Sequence, residues 1–209
     1  MIKLERISVM NMENAIRGAR NPLNSWDRSD SYYNEAGEYI LGENDLSLAT
    51  RLCRSGSDHR KFIRQIIVCM DITAPMYWWK EFDTYKVGTV ANSTSTMHKI
   101  QAKQFAREDF SCDRLTDAGL AALDDLIAYL EDCRVKFNET KDRAYWHDMI
   151  QLLPSSYNQM RTVTMNYENL SNMYYARRSH KLAEWHTFCD MILTLPYANE
   201  MIASKKEEE

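Results

Sequence analysis

Hydroxyl-bearing side chains are concentrated between Glu81 and His98, in the segment EFDTYKVGTVANSTSTMH. This segment contains a single lysine, Lys86, and the hydroxyls of Thr84, Thr89, Ser93, Thr94, Ser95 and Thr96. Hydroxyls, backbone amides and one cation are groups that can bind a phosphate or a sugar. We interpret the segment as a ligand-binding wall, and the alternative is an ordinary polar loop.

A second group of polar residues lies far downstream, in MNYENLSNMYYARRSHKLAEWHTF. It combines three asparagines with two arginines directly after a predicted strand, where α/β proteins often place ligand-binding groups: Asn166, Asn169, Asn172, Arg177 and Arg178. Such an array can bind the carbonyls and phosphate of a nucleotide. The alternative is that Asn166 caps a helix and the arginines lie at its C-terminal end, where the helix dipole favours them.

Two further groups carry weaker signals. His180 and His186 are six residues apart on a predicted helix and point in different directions, so we predict no metal site with Glu184. The aromatic residues between Tyr77 and Phe82 are most simply core residues, and stacking against a flavin or a base is the alternative.

Composition limits the class of protein. The 209 residues are 44% apolar, which suits one sizeable core, and the net charge of −4 provides no general attraction to nucleic acid or anionic lipid. The five cysteines are odd in number and never form a C-x-x-C pair, which argues against a disulfide framework and a zinc site. We find no signal peptide and no apolar run long enough for a membrane span. We therefore expect a cytoplasmic protein with no nucleic-acid or membrane partner.

The first half of the chain predicts alternating elements. Residues 1–9 read as a strand, followed by a short helix ending near Gly18 and a polar loop over 21–34. ENDLSLATRLCRSG reads as a helix that Asn44 or Asp45 caps, and FIRQIIVCMDI reads as a strand bounded by Pro75.

The second half is mainly helical. Trp78, Phe82 and Tyr85 form an apolar stripe on a helix that starts after Pro75. Further helices are predicted over 115–135, 142–153, 168–178 and 182–195, with a strand at 159–165 and a solvated tail at 204–209. No linker or repeat divides the chain, so we predict a single α/β domain over 1–209.

Several of these segments, taken in order over residues 62–191, resemble the flavin-dependent thymidylate synthase (ThyX) family. They are RQIIVCMDITAP, TYKVGTVANSTST, LLP, MNYENLSN, ARR and LAEW. The family shows a strand ending in Ala-Pro, a helix, an Arg-His-Arg signature and a later serine. A Leu-Pro, a strand, an Asn-x-Arg-x-Leu helix start and an Arg before Ala-Gln-Trp-Glu then follow. The resemblance implies an α+β fold with a central, mostly antiparallel sheet flanked by helices.

The resemblance also implies a function and an assembly. Members of the family are homotetramers with active sites between subunits, and they bind FAD and dUMP, with methylenetetrahydrofolate as carbon donor and NADPH as reductant. Their methyl transfer needs no catalytic serine, because an arginine polarises the uracil and the reduced flavin completes the reaction. We therefore assign no catalytic residue in this chain.

Residue by residue, the resemblance implies two stretches of a nucleotide and flavin site. The Arg-His-Arg signature falls on Thr84, Tyr85 and Lys86. The serine falls on Thr94, and the glycine and arginine behind it, which help hold the dUMP phosphate, fall on Ser95 and Thr96.

The downstream helix is matched in the same way. Asn166 and Asn172 match asparagines that contact the flavin, and Glu168 replaces the arginine between them. The nucleotide-binding arginine matches Arg177 when counted from the asparagines, and Arg178 when counted back from AEW. We favour Arg178, with Arg177 close behind.

The departures from the family pattern all remove flavin-binding groups. Cations and an imidazole are exchanged for hydroxyls, for Gln65 on the preceding strand and for Glu168, and a glutamine becomes Glu81. Two charge-assisted hydrogen bonds, at about 1.5–3 kcal/mol each, correspond to roughly a hundred- to ten-thousand-fold in affinity. Glu168 would add repulsion, so we expect FAD binding in the family manner to be weak.

Three function classes follow. In the first, the protein binds a nucleotide without family chemistry and sequesters or senses it, as phage proteins that blunt nucleotide signalling do. In the second, it is an FAD-dependent enzyme that methylates dUMP or modifies a related pyrimidine nucleotide. The third is a purely structural role. In the first two we expect a homotetramer, with apolar area around Tyr77, Trp78 and Trp79 buried between subunits.

Overall fold

A computed structural model describes residues 2–204 of the chain. The first half contains β1 Lys3–Met10, α1 Met12–Arg20, β2 Tyr32–Tyr33, β3 Tyr39–Ile40, α2 Glu43–Arg54, β4 Ile67–Pro75 and α3 Met76–Phe82. The second half contains β5 Val90–Ser93, α4 Asp117–Thr140, α5 Arg143–Gln151, β6 Asn158–Asn166, α6 Tyr167–Arg177, α7 Ala183–Ile192 and α8 Ala198–Met201. Short 3₁₀ turns occur at Asn21–Leu23, Trp26–Arg28, Arg60–Gln65 and Arg107–Asp109.

The strands form two sheets. The larger one has the order β1-β4-β6-β5 and is antiparallel in character, whereas β2 and β3 form a separate antiparallel ribbon that pairs Tyr32 with Ile40. Burial alternates along β4, as expected for a strand whose two faces meet different surroundings. The predicted α+β class with a mostly antiparallel sheet is confirmed.

The chain divides into two compact units, which are described separately. Unit 1 comprises Asp71–Thr84 and Asn92–Thr162 with the first residues of the chain, and unit 2 comprises Leu4–Met70, Tyr85–Ala91 and the chain from Val163 onward. The expectation of one domain over 1–209 therefore stays a prediction.

The core of unit 1 includes the tryptophan pair. Trp78 and Trp79 are fully buried, and the Trp79 Nε1 donates a hydrogen bond of 2.9 Å to the Gln159 carbonyl. The guanidinium of Arg161 lies 4.2 Å from the Trp79 ring and donates to Asp83. The interpretation of these aromatics as core is correct. The expectation that Trp78 and Trp79 supply interface area is wrong, because the chain itself buries both rings.

In unit 2, helix α6 packs against α7 and the 3₁₀ turn at Arg60–Gln65, and it buries Tyr167, Leu170 and Met173. The Tyr167 hydroxyl donates to the Pro196 carbonyl at 2.7 Å, and burial raises its pKa. Ser171 donates to the Ile202 carbonyl at 2.8 Å. These bonds tie α6 to the C-terminal part of the described chain.

Several predicted elements need correction. Residues 60–65 form a 3₁₀ turn, so the strand begins at Ile67 and not at Phe62. Helix α2 starts after Gly42. The backbone N–H groups of Asn44 and Asp45, in its first turn, donate hydrogen bonds to the Asp30 carboxylate. Neither the Asn44 nor the Asp45 side chain is therefore the cap.

The expectation of a solvated tail at 204–209 is corrected at Ser204. Ser204 is buried, and the rest of the tail predicted at 204–209 lies outside the described residues. Among residues 2–204, no helix combines the length and the apolar character needed to cross a bilayer.

Candidate functional site

The turn at residues 85–89 lies against the start of helix α6 within unit 2. The Asn169 Nδ2 donates a hydrogen bond of 2.7 Å to the Val87 carbonyl. Gly88 has a φ of +75°, and a Cβ at this position would lie 3.0 Å from the Asn166 Nδ2. Glycine is needed here both for the left-handed backbone and for the close approach. The turn is therefore fixed on the helix start by its own backbone.

Asn166 and Asn169 form a reciprocal cap on α6. The Asn166 Oδ1 accepts from the Asn169 backbone N at 3.0 Å, and the Asn169 Oδ1 accepts from the Asn166 backbone N at 3.1 Å. The alternative interpretation of Asn166 as a helix cap is thus correct. Asn172 lies one turn further on, exposed, and accepts from Arg60 Nη2 at 3.4 Å.

Arg177 is held beside the turn by two aromatic residues. Its Nε donates a hydrogen bond of 2.9 Å to the Tyr85 hydroxyl. Its guanidinium carbon lies 4.9 Å from the ring of Trp185, which is buried, and 5.6 Å from the Tyr85 ring. These contacts restrict the orientation of a long side chain that would otherwise have many rotamers.

Arg178 has a different environment. It is exposed, and its guanidinium carbon lies 5.1 Å from the Tyr175 ring and 5.9 Å from the Tyr174 ring. Of the two arginines that the sequence left undecided, Arg177 is therefore the one that contacts the signature segment through Tyr85.

Glu168, at the start of α6, is ion-paired. Arg64 from the 3₁₀ turn donates a short hydrogen bond to its carboxylate, and this bond raises the pKa of Arg64. The Nε of Arg60 lies 3.5 Å from the same carboxylate. We expected Glu168 to repel the phosphates of FAD, and this expectation is corrected. Two guanidiniums face the single carboxylate, so the net local charge is positive.

The remaining residues of the signature segment have mixed roles. Lys86, in unit 2, is exposed and forms no ion pair with any residue in 2–204. The Thr89 hydroxyl, also in unit 2, is buried without a hydrogen-bond partner in that same range.

Three of the hydroxyls in the segment, those of Thr84, Thr94 and Ser95, form hydrogen bonds with backbone groups within unit 1. Thr84 donates to the Glu81 carbonyl at 2.7 Å, and Thr94 donates to the Met160 carbonyl at 3.2 Å. The Ser95 hydroxyl accepts the N–H groups of Met97 and His98, and Thr96 is half-buried. These bonds agree with the alternative interpretation of the segment as an ordinary polar loop. Ligand binding by Thr94, Ser95 and Thr96 stays a prediction.

The remaining sequence candidates are Gln65, His180 and His186. Gln65 is exposed, and its carbonyl accepts from the Asn11 side chain at 2.9 Å. His186 Nε2 is 2.7 Å from the His180 carbonyl. Within the described residues, no group of histidine, cysteine and carboxylate side chains could hold a metal ion.

Sequence reasoning missed Arg60 and Arg64 as members of the site. Arg64 lies in FIRQIIVCMDI, which we read as a strand because it is rich in β-branched residues, and Arg60 lies two residues before that segment. Nothing in the local pattern connects either arginine with a helix a hundred residues later. The only available signal was the carboxylate at Glu168, which as a buried or half-buried charge requires a nearby cation.

Comparison with known proteins identifies the fold. The chain has the fold of the flavin-dependent thymidylate synthases, as the resemblance implied. A ThyX structure from Helicobacter pylori with FAD and dUMP matches with a TM-score of 0.69 at 15% identity, covering 99% of this chain and 100% of that one. A second structure of the H. pylori enzyme with FAD and dUMP gives a TM-score of 0.67 at 15% identity, covering 95% and 98%.

A third structure extends the comparison to a methylase. The UMP/dUMP methylase PolB from Streptomyces cacaoi, bound with 5-Br dUMP, gives a TM-score of 0.63 at 14% identity, covering 98% of this chain and 94% of that one. No family model and no curated protein matches the sequence. At these identities the likeness concerns the fold.

Proposed function

We propose that the chain is a nucleotide-binding protein of the ThyX fold that takes a pyrimidine nucleotide and does not hold FAD in the family manner. The observation that carries the proposal is the fixed position of Arg177, between Tyr85 and Trp185. The solved structures of this fold that were bound with dUMP or 5-Br dUMP support a pyrimidine ligand.

A guanidinium in a fixed orientation suits recognition of a nucleotide. It offers a planar set of N–H donors that match a phosphate or a carbonyl, and little rotamer freedom remains to be lost on binding. Lys86 adds a second cation from the same turn. The hydroxyls of Thr94, Ser95 and Thr96 stay candidates for phosphate contacts. In the homotetramer that we propose, they would come from a second copy of the chain.

The residues that replace the flavin-binding groups do not suit FAD. Thr84 and Tyr85 carry no charge, and the Tyr85 hydroxyl is used by Arg177. Glu168 stands where the family has a cation, so the positive charge at this point comes from Arg60 and Arg64 of the 3₁₀ turn and not from α6. A protein that retains nucleotide contacts without the redox cofactor fits the sequestration or sensing of a nucleotide.

One observation favours a second candidate function, that of an FAD-dependent enzyme modifying dUMP or a related nucleotide. Arg60 and Arg64 bring two cations to the start of α6, so the positive charge lost from the helix is partly replaced from the 3₁₀ turn. A visible absorbance spectrum of the purified protein separates the candidates. We expect a colourless protein, whereas stoichiometric FAD with NADPH oxidation in the presence of dUMP would establish the enzyme.

Calorimetric titration with dUMP tests the arginine assignment. Arg177→Ala should weaken binding by about ten- to hundred-fold, the equivalent of one charge-assisted hydrogen bond. Arg178→Ala is the matched control, since it removes the same side chain one position further on, and it should bind as the wild type does. Equal affinity in all three proteins, or a loss confined to Arg178→Ala, would refute the site.

A further inference from the structure

A cavity of about 610 Å³ lies within unit 2, away from the residues of the proposed nucleotide site. It is formed by the end of α1, the loop that follows and one face of α2. Its volume falls within the roughly 300–1,000 Å³ range of small-molecule sites. The side chains around it are mostly polar and include three arginines: Arg20, Arg28 and Arg51.

Arg20 is a buried cation with an unused donor. The residue is only 4% exposed, its Nε donates to Asp45 at 2.5 Å, and its Nη1 donates to the Ser25 carbonyl at 3.2 Å. Its Nη2 is buried and has no hydrogen-bond partner in residues 2–204. Leaving a buried donor unsatisfied costs about 1–3 kcal/mol, and Arg20 is one of the residues that line the cavity.

Asp45 holds Arg20 in place and does not occupy that donor. Its second oxygen accepts hydrogen bonds from Ser29 at 2.7 Å and from Ser31 at 2.6 Å. The carboxylate is therefore saturated on the side facing the loop. The bonds to Asp45 and to the Ser25 carbonyl restrict the orientation of the Arg20 side chain.

The other two arginines make the cavity positive. Arg28 and Arg51 are exposed, and neither forms an ion pair in the described part of the chain. The carboxylate of Asp27 also lines the cavity, so the lining carries three guanidiniums and one carboxylate. Guanidiniums bind phosphate through paired N–H donors.

The other lining residues indicate what kind of group could accompany a phosphate in this cavity. It supplies amides and hydroxyls from Asn24, Asn44, Ser25 and Ser47, and none of the lining residues is aromatic. Amides and hydroxyls suit a polyhydroxyl compound, whereas a nucleobase would find no ring to stack on. We propose that this cavity binds a small phosphorylated sugar.

Calorimetry on the full-length protein tests the proposal, with ribose 5-phosphate as the probe. We expect saturable binding that a double Arg28→Ala, Arg51→Ala variant weakens by at least about ten-fold. Arg54→Ala is the matched control because Arg54 is on the same helix but does not line this cavity. It should bind as the wild type does, and so should Arg177→Ala, because the nucleotide site is separate.

A second variant tests the same cavity without changing its charge. Ser47→Trp fills the cavity from its exposed rim and keeps all three arginines, so it should abolish binding of ribose 5-phosphate. Absence of saturable binding in the wild type would overturn the proposal, and so would wild-type affinity in the double variant or in a folded Ser47→Trp protein. Ribose without the phosphate should not bind.

Discussion

Arg177 illustrates what can be learned from residue types alone. The sequence identified two adjacent arginines and could not separate them, because counting from either neighbouring motif gave a different choice. The structure distinguishes their surroundings, since Arg177 binds Tyr85 and Arg178 lies over Tyr175, and for this reason we propose Arg177 for the nucleotide site. No pattern could show this, because Tyr85 was placed on a helical stripe that in fact ends at Phe82.

Removal of the Tyr85 hydroxyl should weaken nucleotide binding. Tyr85→Phe keeps the ring but loses the acceptor for Arg177 Nε, a bond worth about 1 kcal/mol, and we expect a loss of about five-fold in affinity for dUMP because the guanidinium is no longer held in one orientation. Tyr174→Phe is the control, because its ring lies near Arg178 instead. Calorimetry showing the loss only in Tyr174→Phe, or in neither variant, would contradict the assignment.

At the level of elements, the 3₁₀ turn at Arg60–Gln65 was the main surprise. The sequence predicted that a strand begins at Phe62, because FIRQIIVCMDI is rich in β-branched residues. The chain instead turns before Ile67, and Arg60 and Arg64 contact Glu168 on α6. Tertiary contacts of this range override propensity and cannot be read from a single segment.

A charge-swap experiment tests the pairing between the turn and α6. Glu168→Arg alone would place three guanidiniums together and should lower the free energy of unfolding by about 1–2 kcal/mol. The double variant Arg64→Glu, Glu168→Arg restores one ion pair and should recover much of that loss. Urea unfolding measures both, and a double variant that is no more stable than Glu168→Arg would contradict the pairing.

The buried pair between α1 and α2 predicts a response to acid. Burial alone would raise the pKa of Asp45, but hydrogen bonds from Ser31, Ser29 and Arg20 outweigh it and hold that pKa below its usual value. The stabilisation is therefore complete above the unfolded-state pKa of about 4, and it is lost as the pH falls through the lower folded-state pKa.

Urea unfolding between neutral pH and about pH 3 checks this response. The wild type should lose stability on acidification. Asp45→Asn, which is expected to be less stable throughout because it breaks a buried pair, should lose less over the same interval. Equal acid sensitivity in the two proteins would show that Asp45 is not responsible.

At the scale of the whole molecule, the sequence predicted the fold well. The order of strand, Ala-Pro, helix and later asparagine and arginine landmarks is preserved, and this order depends on the connection of elements more than on identity. The helices at 117–140, 143–151 and 167–177 were also correct within a few residues. The division into two units could not be predicted, since no linker marks it.

The homotetramer stays a prediction, and we now expect its interface to include exposed valines instead of the tryptophan pair. Trp78 and Trp79 are buried inside unit 1, but Val87 is 88% exposed and Val90 is 65% exposed on the segment beside α6. We expect light scattering to show a homotetramer, and lysine at both valines to weaken it by burying charge at an interface. The Lys61→Ala variant, which changes an exposed residue of the 3₁₀ turn, should assemble normally. A wild-type monomer at micromolar concentration would contradict the assembly.

The central claim is that a pyrimidine nucleotide binds without flavin. Titration of dUMP into flavin-free protein, followed by calorimetry in the absence and presence of added FAD, tests it most directly. The account predicts saturable dUMP binding of the same affinity in both conditions. Binding of dUMP that appears only after FAD is added would contradict it, because the nucleotide site would then depend on the cofactor.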